Sequence, residues 1–96
     1  MNFREPIYIV AIAEHGDFTR AAEAVSVSRP ALSSQGKKVE RGLGVPIFER
    51  SSRGIVPTEF GARAVGAARQ VNASGEASVR WPRTTEGRRR SRRASA

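Results

Sequence analysis

No cysteine occurs anywhere in the 96 residues. That absence removes disulfides, thiolate metal sites and a thiol nucleophile together, and it makes a reducing cytosol the natural compartment. His15 is the only histidine, so there is no second imidazole for a metal pair. Leucine stands only at Leu32 and Leu43, and aromatic residues make up 6% of the chain. Any core must therefore be built from Ala, Val, Ile and a few Phe. A chain of this length buries little surface, which limits it to one domain of modest stability. No apolar run approaches the roughly 20 residues that span a bilayer. The one candidate stretch, near the N-terminus, is broken by Glu5, Pro6, Glu14, His15 and Asp17 and lacks the basic start of a secretion signal. A soluble, cytoplasmic protein is expected.

Catalysis finds no support either. There is no nucleophile–base pair, no metal cluster and no glycine loop that cradles phosphate. Gly16, Gly42, Gly44 and Gly54 are scattered as helix stops and turns, and the carboxylates read as single charges on helix surfaces. No enzyme activity, cofactor or metal is expected, which leaves binding.

What the chain does have is positive charge, +8 in all. It is unevenly placed. Residues 1–72 hold ten Lys or Arg against seven Asp or Glu, whereas residues 73–96 hold seven Arg against two Glu. The excess points to a polyanion partner, and most of it lies in the last quarter of the chain.

Hydrophobic spacing divides the rest. Pro6, Ile9, Val10 and Ala13 fall on one stripe of a first helix, in which Pro6 fits only the first turn. Asp17 is a candidate N-cap for a second helix with Phe18, Ala21, Ala22 and Val25 on one face. Ser26 to Ser28 break the pattern. Ser28 caps a third helix beginning near Arg29 and running to Arg41, with Gly42 or Gly44 as its stop and Leu32, Gly36, Val39 and Leu43 as its inner face. Ile47 and Phe48, then Ser51 to Gly54, then Ile55 and Val56 read as a hairpin with Arg50 and Arg53 about its tip. Thr58 caps a fourth helix whose Phe60, Ala64, Ala67, Ala68 and Val71 form an apolar stripe that needs a cover, for which a partner chain is the candidate. Helical period is lost from Asn72.

Two short helices joined by a tight turn, with the small Ala21 and Ala22 where they approach, make a helix-turn-helix. The second helix of such a unit enters the DNA major groove, where every base pair shows its own donor and acceptor pattern. On the helix from Arg29, the residues projecting away from Leu32 and Val39 are Ser28, Arg29, Ala31, Ser33, Ser34 and Lys37. Arg29 suits a bidentate contact to guanine, the serines suit base edges or phosphates, and Ala31 suits a thymine methyl. Lys37 and Lys38 suit phosphates, which set register and affinity. Arg50 and Arg53 would reach the backbone or minor groove as a wing.

Four runs, Phe18-Thr-Arg-Ala-Ala-Glu-Ala-Val, Val27-Ser-Arg-Pro-Ala-Leu-Ser, Leu43-Gly-Val-Pro-Ile-Phe-Glu-Arg and Pro57-Thr-Glu-Phe-Gly, in this order and spacing, resemble the signature of LysR-type transcriptional regulators. The resemblance covers residues 1 to about 71. It implies a mainly α, winged helix-turn-helix fold: a three-helix core, a small β-hairpin wing and a C-terminal linker helix that pairs two copies into a homodimer. Three segments follow: a DNA-binding domain at 1–58, a linker and dimerisation helix at 59–72, and a disordered Arg-rich tail at 73–96. The helix-turn-helix falls on positions 18–37, and the DNA-facing residues on Thr19, Ser28, Arg29, Pro30, Ala31, Ser33, Ser34, Lys37, Lys38, Arg50 and Arg53. The resemblance places such a chain on the bacterial nucleoid, binding double-stranded DNA.

Departures from the pattern matter too. Gly36 stands where a large aliphatic residue is usual, which costs roughly 1 kcal/mol of helix propensity and leaves a packing hole. Gly42 repeats the cost, Arg29 replaces a common Gln and Pro6 a common Leu. No effector-binding domain is expected within these residues, and the tail departs completely from the family pattern, which is what a truncated or frameshifted copy would show. An alternative to specific recognition is nonspecific nucleic-acid binding through Arg80, Arg83, Arg88, Arg89, Arg90, Arg92 and Arg93.

Overall fold

A computed structural model describes residues 4–76 and 78–83. The described elements are α1 (Glu5–His15), α2 (Phe18–Ala24), α3 (Arg29–Leu43), β1 (Phe48–Ser51), β2 (Gly54–Pro57) and α4 (Glu59–Ser74). The fold is mainly α, a winged helix-turn-helix, as the residue pattern implies.

Each boundary has a local cause. Pro6 occupies the first turn of α1, and the left-handed Gly16 ends it. The Asp17 carboxylate accepts the Thr19 amide proton at 3.2 Å, and Ser28 Oγ that of Ala31 at 3.2 Å, so both helices of the helix-turn-helix are side-chain capped. Between them Ser26 takes φ of 60°, a left-handed conformation rare for a residue with a side chain. α3 runs past Arg41 to Leu43 and stops on the left-handed Gly44. Thr58 Oγ1 accepts the Gly61 amide proton at 2.9 Å and starts α4.

Two apolar clusters meet at α1. One joins Ile9 to Val39 of α3, to Val45 and Ile47 before the hairpin, and to Phe60, Ala64, Val65 and Ala68 of α4. The other joins Tyr8, Ala11 and Ile12 to Ala21 and Ala22 of α2, Leu32 of α3 and Ile55 of β2. α1 is thus enclosed on more than the single stripe its sequence shows, and even Glu5 is buried. Ile9, Ile12, Leu32 and Ile47 are the largest fully buried side chains, each worth about 1.5–3 kcal/mol.

The apolar stripe of α4 is not left for a partner. Phe60, Ala64, Ala68 and Val71 are buried within this chain, largely against α1. The sequence pattern marks the stripe but not its cover, because α1 looks one-sided when read alone. Arg69 Nη1 and Glu14 Oε2, 2.7 Å apart, clamp the two helices at the surface.

The chain beyond Val71 also differs from expectation. α4 continues to Ser74 and ends on the left-handed Gly75. Val79 is buried and Trp81 packs on the cluster around Ile9 and Phe60. Trp81 thus finds the core around Ile9 and Phe60 and Val79 is buried as well, so burial overrides the polar composition around them. The rest of the Arg-rich segment, 84–96, lies outside the described residues.

Candidate nucleic-acid interface

The helix-turn-helix depends on the close approach of its helices to α1. Ala21 and Ala22 are buried, and larger side chains there would push α2 off. Backbone bonds close the turn: the Ser26 amide donates to the Glu23 carbonyl at 3.2 Å and the Val27 amide to the Ala22 carbonyl at 3.0 Å. This fixes α3 with its Leu32 and Val39 side inward and its basic side outward.

One contact ties the chain entering the hairpin to α3, and another ties β2 to the end of α1. Glu40, on α3, accepts the amide protons of Ile47 at 2.7 Å and Phe48 at 3.2 Å through Oε2. The Ile55 amide of β2 donates to the Gly16 carbonyl at 2.9 Å. At the latter contact the chains run so close that a Cβ on Gly54 would lie 2.6 Å from the Gly16 oxygen. β1 and β2 pair antiparallel, with Arg50 opposite Ile55 and Ser51 opposite Gly54. The two-residue turn between them is held by Ser51 Oγ, which accepts the Arg53 amide proton at 3.1 Å.

Of the residues picked out in the sequence, Thr19, Ser28, Arg29, Pro30, Ala31, Ser34, Lys37, Lys38, Arg50 and Arg53 are exposed and Ser33 is half-buried. Arg29, Pro30, Ser33 and Lys37 of α3 border one concavity together with Arg50 of β1. Ala31, Ser34 and Lys38 sit on α3 away from that concavity, Thr19 lies in the first turn of α2, and Arg53 is at the hairpin tip. Arg29, Ser33 and Lys37 recur every fourth residue and so form one row along the helix. The capped N-terminus of α3 adds free N–H groups and the positive end of the helix dipole to the same region.

Glu40 is the residue that sequence reasoning missed. In the sequence it reads as a surface charge, yet it is half-buried and bridges two amides of the chain leading into the wing. Its signal was a lone acid in the basic half of α3, one turn before Leu43.

The floor of the concavity is Gly36, which is buried, with Ile12, Phe18, Phe48 and Ile55 around it. The space measures about 450 Å³. A Cβ on Gly36 would stand 3.5 Å from Ile12 Cδ1, an ordinary contact, so Ile12 packs against the bare helix backbone there.

Residues 3–62 match the family model described as bacterial regulatory helix-turn-helix protein, lysR family. The chain belongs to the LysR family. Among curated LysR relatives, the DNA-binding transcriptional dual regulator OxyR of Escherichia coli is 48% identical over 71 residues, covering 74% of this chain and 23% of that protein. The HTH-type transcriptional regulator BudR of Klebsiella aerogenes is 46% identical over 61 residues, covering 64% of this chain and 43% of the relative. Among solved LysR structures, the CbnR DNA-binding domain in complex with DNA superimposes with a TM-score of 0.72 at 33% identity over the whole of both chains. The BenM DNA-binding domain on its benA site gives 0.73 at 32% identity, covering 78% of this chain and 84% of that one. The chain spans less than half the length of these two curated LysR relatives.

Proposed function

We propose that this LysR-family chain binds double-stranded DNA at specific sequences as a transcriptional regulator, with α3 lying in the major groove and the hairpin against the neighbouring backbone. One observation carries the reading: the Arg29, Ser33 and Lys37 row of α3 and Arg50 of the hairpin border the same concave face. A groove about 12 Å wide admits a helix with its side chains.

Within that reading the roles divide by chemistry. Arg29 pairs with a guanine edge, Ala31 meets a thymine methyl, and Ser33 and Ser34 read base edges near the helix start. Ser28, Pro30 and Thr19 approach the backbone, where the free amides of the helix ends donate to a phosphate oxygen. Lys37, Lys38, Arg50 and Arg53 neutralise phosphates and set register. Nothing in this scheme calls for catalysis, a cofactor or a membrane, and its place is the bacterial cytoplasm, on the nucleoid.

A homodimer through α4 completes the proposal. Because the Phe60 side of α4 is occupied by α1, pairing would use the outer side, where Ala62, Gly66 and Ala73 are exposed. Two reading helices would then meet half-sites about one helical turn, or a multiple, apart.

Selection of bound duplexes from a random pool tests the reading. The full chain should enrich a sequence motif that a Ser33→Glu, Ser34→Glu variant does not, since carboxylates there repel the phosphates. A chain ending at Arg83 should enrich the same motif; this shortening removes Arg88, Arg89, Arg90, Arg92 and Arg93 but spares the packed Val79 and Trp81. Enrichment of no motif, or loss of all binding in the shortened chain, would favour nonspecific attachment through the Arg-rich end.

A further inference from the structure

We infer that the cavity over Gly36 is a binding site for a small organic anion, one or two rings in size with a single carboxylate, and that its occupancy excludes DNA. The inference about exclusion rests on the proposed DNA reading; the inference about binding does not.

Three observations point to this ligand chemistry. The space of about 450 Å³ lies within the range of small-molecule sites, roughly 300–1,000 Å³. Its interior is apolar: Ile12, Phe18, Phe48 and Ile55 surround a helix backbone that carries no side chain at Gly36. The space is open to solvent on one side, and an apolar body seated in it would take this lining out of water. Its mouth is cationic, with Arg29 and Lys37 from α3 and Arg50 from β1. Two carboxylates, Glu40 and Glu49, also line it, so three cations face two anions and an excess of one positive charge remains. Glu40 Oε2 is turned to the Ile47 and Phe48 amides. An apolar interior beneath a mouth with excess positive charge selects an apolar body bearing one negative group.

The position of the mouth supplies the consequence. Arg29 and Lys37 are assigned to DNA in the proposed function, and a carboxylate held between them and Arg50 would neutralise the face that a phosphate strand must approach. A ligand and a duplex would compete for the same cations.

Naphthoate, with benzoate as a smaller probe and naphthylmethanol as a neutral one, tests this by titration calorimetry on the full chain. Naphthoate should bind saturably with one molecule per chain, and naphthylmethanol about tenfold more weakly because it lacks the charge-assisted hydrogen bonds. Gly36→Leu, which fills the space from the floor, should lose naphthoate binding while its helix content by circular dichroism stays that of the parent. The methyl signals of Ile12 and Ile55 in the unaltered chain should shift on adding naphthoate, which locates the site without any substitution. Naphthoate should also displace a labelled duplex from the unaltered chain, whereas naphthylmethanol at the same concentration should not. If the chain binds no duplex while naphthoate still binds, the DNA reading fails and the site stands. No saturable binding at millimolar naphthoate, methyl shifts confined to other residues, equal affinity for the neutral alcohol, or undiminished binding by a folded Gly36→Leu chain would overturn the inference.

Discussion

Glu40 Oε2 on α3 lies 2.7 Å from the Ile47 amide nitrogen that donates to it, so the helix and the chain leading into β1 share one carboxylate. The Phe48 amide takes the same oxygen at 3.2 Å, and both donors belong to residues that pack in the core. Truncating the acceptor strands two amides in a half-buried place. Glu40→Ala should therefore lose about 2 kcal/mol of unfolding free energy in urea. Glu40→Gln, which keeps an oxygen but not the charge, should lose less. The wing of the alanine variant should also hold DNA less well, and a variant as stable as the parent would show that the bridge contributes nothing.

Glycines in α4 should respond in opposite directions. A Cβ at Gly61 would overlap the Ile47 carbonyl, a backbone atom that cannot step aside. Gly61→Ala should cost about 3 kcal/mol, because α4 must move off the loop before the hairpin. Gly66 is exposed with nothing within 4 Å of its would-be Cβ. Gly66→Ala should gain up to about 1 kcal/mol from helix propensity alone. Thermal melts of the two variants, moving in opposite senses from the parent, are the check.

Trp81, the single tryptophan, reports on the segment after α4. It packs on the cluster around Ile9 and Phe60, and the Arg83 carbonyl nearby accepts a hydrogen bond from Arg63 at 3.4 Å. Its emission should be blue-shifted in the native chain and should move red along the same denaturation curve as helix loss by circular dichroism. Trp81→Ala should cost about 2 kcal/mol. Red-shifted emission in the native chain would place the ring in solvent.

Arg29 and Lys37 share a row on α3 but should fail differently. Arg29→Ala should relax the preference at one base pair by about 1–3 kcal/mol while leaving other positions as they were. Lys37→Ala should weaken every duplex alike and lower the slope of log affinity against log salt by about one. Binding measured across salt concentrations for matched and mismatched duplexes separates the two.

Much of this architecture was legible in the residues. Asp17, Ser28 and Thr58 announced the helix starts because capping is local chemistry, and Gly16 and Gly44 announced two of the ends. Gly36 read as a packing hole in α3, and Ile12 is the neighbour that reaches in to meet it. Tertiary facts were hidden. The cover over Phe60 and Ala64 is α1, whose own stripe looked too narrow to serve two clusters. Val79 and Trp81 were obscured by the Gly, Ser and Arg around them, and Glu40 passed as a surface charge because nothing in a sequence shows that two amides seven and eight residues on will come within reach. In the candidate interface, the row on α3 followed from helical spacing, whereas its meeting with Arg50 depended on how the hairpin folds back.

The most direct test is the map of backbone amide shifts when the enriched duplex is added to the full chain. We expect the largest changes at Ser28 to Lys38 and at Arg50 to Arg53, with the buried face of α1 nearly still. Changes confined to Arg80, Arg83 and the residues that follow, with α3 unmoved, would contradict recognition by the reading helix.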